Sequence, residues 1–99
     1  MKLTINGIKN RESWEQAGIL LPGYDVEKAS EKARKEPKWV HFGIGNIFRV
    51  FIGGIADRLL EEGALDRGIT CVEMFDYDVA DKIYEPYDNL GLCVILHGD

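Results

Sequence analysis

Two glycines stand between a short apolar run and a long helical pattern, and this arrangement constrains the fold more than any other feature. The apolar run covers residues 38–42, and Gly43-Ile44-Gly45 follows it directly. From residue 46 to residue 62 the apolar side chains recur every three or four positions, which predicts one face of a helix. A strand, a tight glycine turn and a helix in this order predict the first half of a βαβ unit.

The second half of the chain continues this alternation. Residues 69–75 and 90–96 are apolar runs with little polar alternation, which indicates strands buried on both faces of a parallel sheet. Between them, residues 76–83 predict a short helix that Asp76 caps. We therefore expect an α/β fold with a partial, Rossmann-like parallel sheet, the N-terminal βαβαβ portion of a dinucleotide-binding domain.

The chain divides into two segments of different composition. Residues 1–37 are polar and contain several turn signals, and they predict an N-terminal extension with short helices, one of which begins after Asp25. Residues 38–99 predict a partial NAD(P)-binding Rossmann domain. Because 99 residues make one domain at most, we expect a thin hydrophobic core.

Composition excludes several classes of partner. Hydrophobic residues make up 45% and charged residues 29% of the chain, which is typical of an ordered globular protein. The formal net charge of -5 argues against a nucleic-acid partner, because a polyanion would be repelled. No apolar run is long enough to cross a membrane, and the first residues do not resemble a signal peptide, so we expect no membrane partner and a cytoplasmic location.

The two cysteines do not predict a metal or redox site. Cys71 and Cys93 lie in apolar runs, without a Cys-x-x-Cys partner or a histidine at ligand spacing. We expect two buried thiols in a reduced compartment and no metal site.

The glycine turn, here defined as residues 43–48, has the features of a phosphate-binding loop. Gly43 allows a tight turn, and Gly45 lets a pyrophosphate approach the backbone without a Cβ in the way. The first amides of a helix lack intrahelical partners, and the helix dipole adds positive charge there. Phe48 replaces the third glycine of the general dinucleotide motif, so a tight turn without a ligand remains an alternative.

An acidic residue after the second strand should bind the adenosine ribose of a dinucleotide. Glu73 is the first candidate; Asp76 and Asp78 follow it, with helix capping or simple solvation as their alternative roles. A carboxylate in this place repels a 2′-phosphate and so favours NAD over NADP.

Two further polar residues lie close to the turn in sequence. Arg49 can reach a phosphate or a substrate carboxylate with its fork of donors, although a surface position on the helix is an equal alternative. His41 is best explained as a hydrogen-bonded core histidine rather than as a catalytic group.

These residues resemble a known family. HFGIGNIFR at residues 41–49, followed by Phe51-Ile52-Gly53, closely resembles the opening of mannitol-1-phosphate dehydrogenases. LPGYD at residues 21–25 resembles the lead-in of the long-chain mannitol, fructuronate (D-mannonate) and tagaturonate oxidoreductases. The resemblance to this mannitol dehydrogenase superfamily covers roughly residues 20–73, and Phe48 points toward its long-chain branch.

The resemblance implies NAD-dependent oxidation of a secondary alcohol on a sugar alcohol or sugar acid, or the reverse reduction. The cofactor-binding residues that we predict from the motif and the resemblance together are Gly43, Ile44, Gly45, Asn46, Ile47, Phe48, Arg49, Glu73 and Asp76. The family's catalytic lysine, asparagine and histidine lie in a later, largely helical domain, and no stretch here matches them. The resemblance thus implies an N-terminal fragment without catalytic residues, inactive alone, whose substrate binds through a missing C-terminal domain.

Two other classes of function remain open at this point. A non-catalytic Rossmann-like module that binds a nucleotide as a regulatory ligand would need no downstream catalytic domain. A stand-alone interaction domain would bind no nucleotide at all.

Overall fold

The two strands that flank the predicted crossover helix pair in parallel, as expected. The computed structural model describes residues 1–96, and in it β1 (Val40–Phe42) pairs with β2 (Thr70–Val72), with His41 opposite Cys71. The Gly43 amide extends the ladder by donating to the Val72 carbonyl at 2.8 Å. An α/β fold with a parallel sheet is therefore confirmed, and it is consistent with a partial Rossmann-like unit.

The predicted third strand is wrong. Residues 91–96 belong to no strand, and Ile95 and Leu96 are 72% and 90% exposed. Asp88 and Asn89, both with positive φ, end the helical turns before this segment. The apolar pattern indicates a tendency to be buried, but a strand forms only beside a partner, and this segment pairs with neither β1 nor β2. Without a ladder of hydrogen bonds, nothing offsets the entropy that ordering an extended segment costs.

The helix after the glycine turn runs from residue 46 to 61 and contains a wider turn near its start. Phe48–Ile52 is π-helical, with the Gly53 amide donating to the Phe48 carbonyl, and α3 (Gly53–Glu61) follows it. A Cβ on Gly53 would lie 3.3 Å from the Phe48 carbonyl oxygen, whereas a Cβ on Gly54 would meet nothing within 4 Å. Gly53 thus leaves room for the Phe48 carbonyl of the π-helical turn, whereas no contact requires a glycine at position 54.

The N-terminal segment consists of short helices. A 3-10 turn (Gly7–Lys9) precedes α1 (Arg11–Gln16), and α2 (Val26–Lys35) begins after Asp25, whose carboxylate accepts a hydrogen bond from the Lys28 amide at 3.0 Å. Trp14 on α1 is 5% exposed, and its indole N–H donates to the Gly7 carbonyl at 3.0 Å. The predicted cap at Asp25 is therefore confirmed.

The N-terminal segment packs against the crossover helix and the start of β2. The Tyr24 hydroxyl donates to the Asp57 carboxylate on α3 at 2.6 Å, and the Gly68 amide donates to the Ala29 carbonyl on α2 at 3.2 Å. Ala29 and Ala33 are buried in this contact, together with Ala56 of α3. With Trp14 and Ile44, these alanines make the thin core that the chain length predicts.

Arg67 fastens the end of α2 to the segment before β2. Its guanidinium is 8% exposed, donates to both oxygens of Asp66 at 2.8 and 3.1 Å, and donates to the Glu36 carbonyl at 2.8 Å. These bonds hold the pKa of the Asp66 carboxyl at about 2, below its usual range. A fork of donors thus satisfies one carboxylate and one helix-terminal carbonyl at once.

The segment after β2 is a series of short helical turns. α4 (Tyr77–Val79) continues into a π-helical turn (Ala80–Tyr84) and a 3-10 turn (Glu85–Tyr87). Asp76 caps α4 by accepting a hydrogen bond from the Val79 amide at 3.3 Å, as predicted. Within residues 1–96, no helix is both long and apolar enough to span a bilayer.

Candidate nucleotide-binding site

The glycine turn leaves β1 through a backbone conformation that favours glycine. Gly43 has φ = 104°, a region that L side chains rarely adopt, and Ile44 after it is 6% exposed. The buried Ile44 side chain anchors the turn in the protein. The chain can therefore reverse sharply at the end of the strand without exposing an apolar residue.

Gly45 lies in open space. A Cβ built on it would meet nothing within 4 Å, and its φ is not positive, so neither crowding nor backbone strain in the protein demands a glycine there. The helix behind it starts its hydrogen bonding with the Arg49 amide, which donates to the Gly45 carbonyl at 3.0 Å. The amides of residues 45–48 donate no hydrogen bond to any residue from 1 to 96. The turn thus presents unused donors beside unfilled space.

The carbonyl of Ile44 is held by two side chains from different elements. Arg49 donates to it through Nη1 at 2.9 Å, and the Tyr84 hydroxyl donates to it at 2.7 Å. A second guanidinium nitrogen of Arg49 donates to the Asn46 side chain. The Arg49 Cζ also lies 5.7 Å from the centre of the Tyr84 ring, within the range of a cation–π contact. Burial raises the pKa of Tyr84, so the hydroxyl keeps the proton that it donates.

Glu73 lies directly after β2, at the same end of the sheet as the glycine turn. Its Oε1 accepts hydrogen bonds from the Asp76 amide at 2.9 Å and the Phe75 amide at 3.1 Å. The Asp76 amide, then the Phe75 amide, and less strongly the nearby Ile44 amide lower the pKa of the Glu73 carboxyl. The structure therefore brings Glu73, as an ionised carboxylate, next to the turn.

The other predicted polar residues have defined contacts. The Nδ1–H of His41 donates to the Gly43 carbonyl at 3.0 Å, and its ring centre lies 4.6 Å from that of Phe48, which fits a structural histidine. Asp76 uses its carboxylate to cap α4, the alternative role considered from the sequence. Asp78 lies exposed in the same turn. The structure thus places Gly43 to Arg49 and Glu73 together and leaves Asp76 at the edge of the group.

Sequence reasoning missed Tyr84. It lies forty positions after Ile44, the residue that its hydroxyl contacts, in a stretch that the sequence predicts as loop. A lone tyrosine beside Pro86 carries no periodic signal, so no pattern in the sequence could have assigned it to the turn.

The expectation of two buried thiols is wrong. Cys71 and Cys93 are both exposed, because no third strand or further layer covers the sheet within the described part of the chain. Partial desolvation still raises the pKa of Cys71 to about 11, so its thiol stays protonated. In residues 1–96, no group of three or more histidine, cysteine or acidic side chains could hold a metal ion.

Comparison with known proteins identifies a relative along the whole chain. The sequence is 46% identical over 99 residues to a D-mannonate oxidoreductase of Thermotoga maritima, and the chain spans 18% of the length of that protein. No family model matches the sequence, and no solved structure matches it. The match extends from the first residue to the last and confirms the resemblance drawn from residues 20–73.

Proposed function

We propose that this chain is the NAD-binding part of a longer oxidoreductase that acts on the CH–OH group of a sugar alcohol or sugar acid. The name of the Thermotoga maritima relative favours a sugar acid of the mannonate type. The chain spans 18% of the length of that protein, and in this proposal the catalytic groups and the substrate site lie in other parts of the whole enzyme.

One observation carries the proposal: the four amides of residues 45–48, which donate to no acceptor within residues 1–96, border open space at Gly45. A diphosphate needs donors at several oxygens and close access to the backbone, and the turn supplies both. Arg49 adds a positive charge beside it. The residues present therefore fit the diphosphate of a dinucleotide.

Glu73 supplies the second contact of the proposed cofactor. Both of its observed hydrogen bonds use Oε1, which leaves Oε2 to accept from a ribose hydroxyl. Its ionised state at neutral pH disfavours the extra phosphate of NADP. The Rossmann-like turn and this carboxylate together support NAD as the cofactor.

The roles of cofactor and chain differ. When it is bound, the nicotinamide ring accepts or donates the hydride of the reaction. The residues of this chain hold the diphosphate and the adenosine ribose, and so fix where that ring lies. In this proposal, the group that exchanges a proton with the substrate hydroxyl belongs to another part of the whole enzyme.

A binding experiment tests this proposal. NADH titrated into the protein at its full natural length should quench tryptophan fluorescence, and Gly45→Val should reduce the affinity at least about tenfold, because the new side chain fills the space for the diphosphate. Gly68→Val is the matched control: its Cβ also meets nothing within 4 Å, and it lies before β2, at the far end of the sheet. Equal NADH affinity in the Gly45→Val variant and in the wild type would contradict the proposal.

A further inference from the structure

We propose that Arg49 and Tyr84 are positioning residues that turn the Gly45 amide outward toward a diphosphate. This inference rests on the proposed function, and it assigns a role to a tyrosine that no motif of the sequence marks. The argument begins with the peptide unit between Ile44 and Gly45.

A trans peptide unit is planar, and its carbonyl and amide groups point in opposite directions. The Ile44 carbonyl and the Gly45 amide belong to one such unit, since the chain contains no cis peptide bond. Two donors, Arg49 Nη1 at 2.9 Å and the Tyr84 hydroxyl at 2.7 Å, hold that carbonyl toward the protein. The Gly45 amide must then point away from both side chains, and it donates to no acceptor within residues 1–96.

The turn needs such a constraint. The unit joins Ile44 to the exposed Gly45, and glycine has wide backbone freedom. One residue earlier, Gly43 has φ = 104°. Without the two donors, the peptide unit could rotate and direct a carbonyl, instead of an amide, at the phosphate. Oxygen facing oxygen would repel a diphosphate, so the orientation of this unit determines whether the turn binds an anion.

The two donors reinforce each other. The Arg49 guanidinium also donates to the Asn46 side chain, and its Cζ lies 5.7 Å from the Tyr84 ring centre. Tyr84 comes from the π-helical turn Ala80–Tyr84, so its hydrogen bond ties the segment after β2 to the segment after β1. The positive charge of Arg49 is held beside the turn by the same contacts.

The test compares conservative variants on ligands with and without phosphate, using the protein at its full natural length. Tyr84→Phe keeps the ring next to Arg49 but removes the donor, and it should weaken NADH binding about two- to tenfold, the range expected for one hydrogen bond. Affinity for adenosine, which lacks the diphosphate, should not change. Tyr87→Phe is the control in the adjoining 3-10 turn. Arg49→Lys, which keeps the charge but loses the fork, should act like Tyr84→Phe.

Hydrogen exchange gives a second, ligand-free measurement. The Arg49 amide bonds to the Gly45 carbonyl at 3.0 Å, and its exchange should accelerate in Tyr84→Phe and not in Tyr87→Phe. If wild-type protein binds no NADH while this exchange accelerates, the proposed function fails and the role toward a diphosphate fails with it, whereas the orientation of the turn by the two donors is supported. If wild-type protein binds NADH and Tyr84→Phe matches it in affinity and exchange, the positioning role is overturned and the proposed function stands. An equal loss of affinity for NADH and for adenosine in Tyr84→Phe would also overturn the positioning role, because a general structural defect gives that result.

Discussion

Replacing each glycine of the turn by alanine separates a conformational role from a ligand-binding role. Gly43 has φ = 104° and no atom within 4 Å of its Cβ position, so alanine there meets backbone strain and no steric contact. Such strain costs about 1–3 kcal/mol. Each kcal/mol lowers the melting temperature of a domain of this size by roughly 4–8 °C, so we expect Gly43→Ala to melt at least about 4 °C below the wild type.

Gly45 should behave in the opposite way. Its φ is not positive and its Cβ position is open, so Gly45→Ala should leave stability within about 1 kcal/mol of the wild type, with any change favouring the folded state. The added methyl occupies the space proposed for the diphosphate, and we expect NADH affinity to fall about tenfold or more, equivalent to ~1.4 kcal/mol.

Two measurements on the same samples decide this contrast. Thermal unfolding followed by circular dichroism gives the stability of each variant, and NADH titration followed by tryptophan fluorescence gives the affinity. A Gly43→Ala variant that melts with the wild type would refute the argument from strain. A Gly45→Ala variant that loses stability yet binds NADH normally would refute the argument from open space.

Four further outcomes are expected. NADH should bind more tightly than NADPH, and Glu73→Gln should narrow the difference in their dissociation constants; equal affinities in the wild type would contradict this. Because the Asp66 carboxyl has a pKa of about 2 when folded and 3.8 as its ordinary value, it contributes stability above pH 3.8 that is lost as the pH falls toward 2. The free energy of unfolding of Asp66→Asn should therefore change less with pH across that interval than that of the wild type. The same change with pH in both proteins would contradict this prediction. The 99-residue chain alone should show no sugar-linked NADH turnover, and turnover in an enzyme assay would disprove this. The same chain should self-associate, because Phe42 and Phe51 are 69% and 62% exposed. A monomer at all concentrations in sedimentation would disprove self-association.

Local signals in the sequence predicted much of the fold. The apolar run before Gly43, the helical spacing after it and the cap at Asp25 depend on neighbouring residues, and the structure confirms all three. Gly63, which follows the crossover helix, has φ = 79°, in the left-handed region that glycine favours. Such features follow from backbone sterics and short-range hydrogen bonds, which a single sequence carries in full.

Features that depend on distant partners were not predictable. The run at residues 90–96 has the composition of a strand, but it has no partner strand in the described part of the chain. The π-helical turn at Phe48–Ile52 keeps the same apolar spacing as an α-helix, so periodicity does not reveal it. Tyr84 and Arg67 act through contacts across 40 and 31 positions, and a pattern of neighbouring residues contains no information about them.

The most direct measurement is the shift of individual backbone amide signals in an NMR titration with NADH. If the diphosphate binds at the turn, the amides of residues 45–48 should show the largest shifts, and adenosine should leave them in place. Binding of NADH with those four amides unmoved would contradict the account, because the cofactor would then be held by another part of the protein.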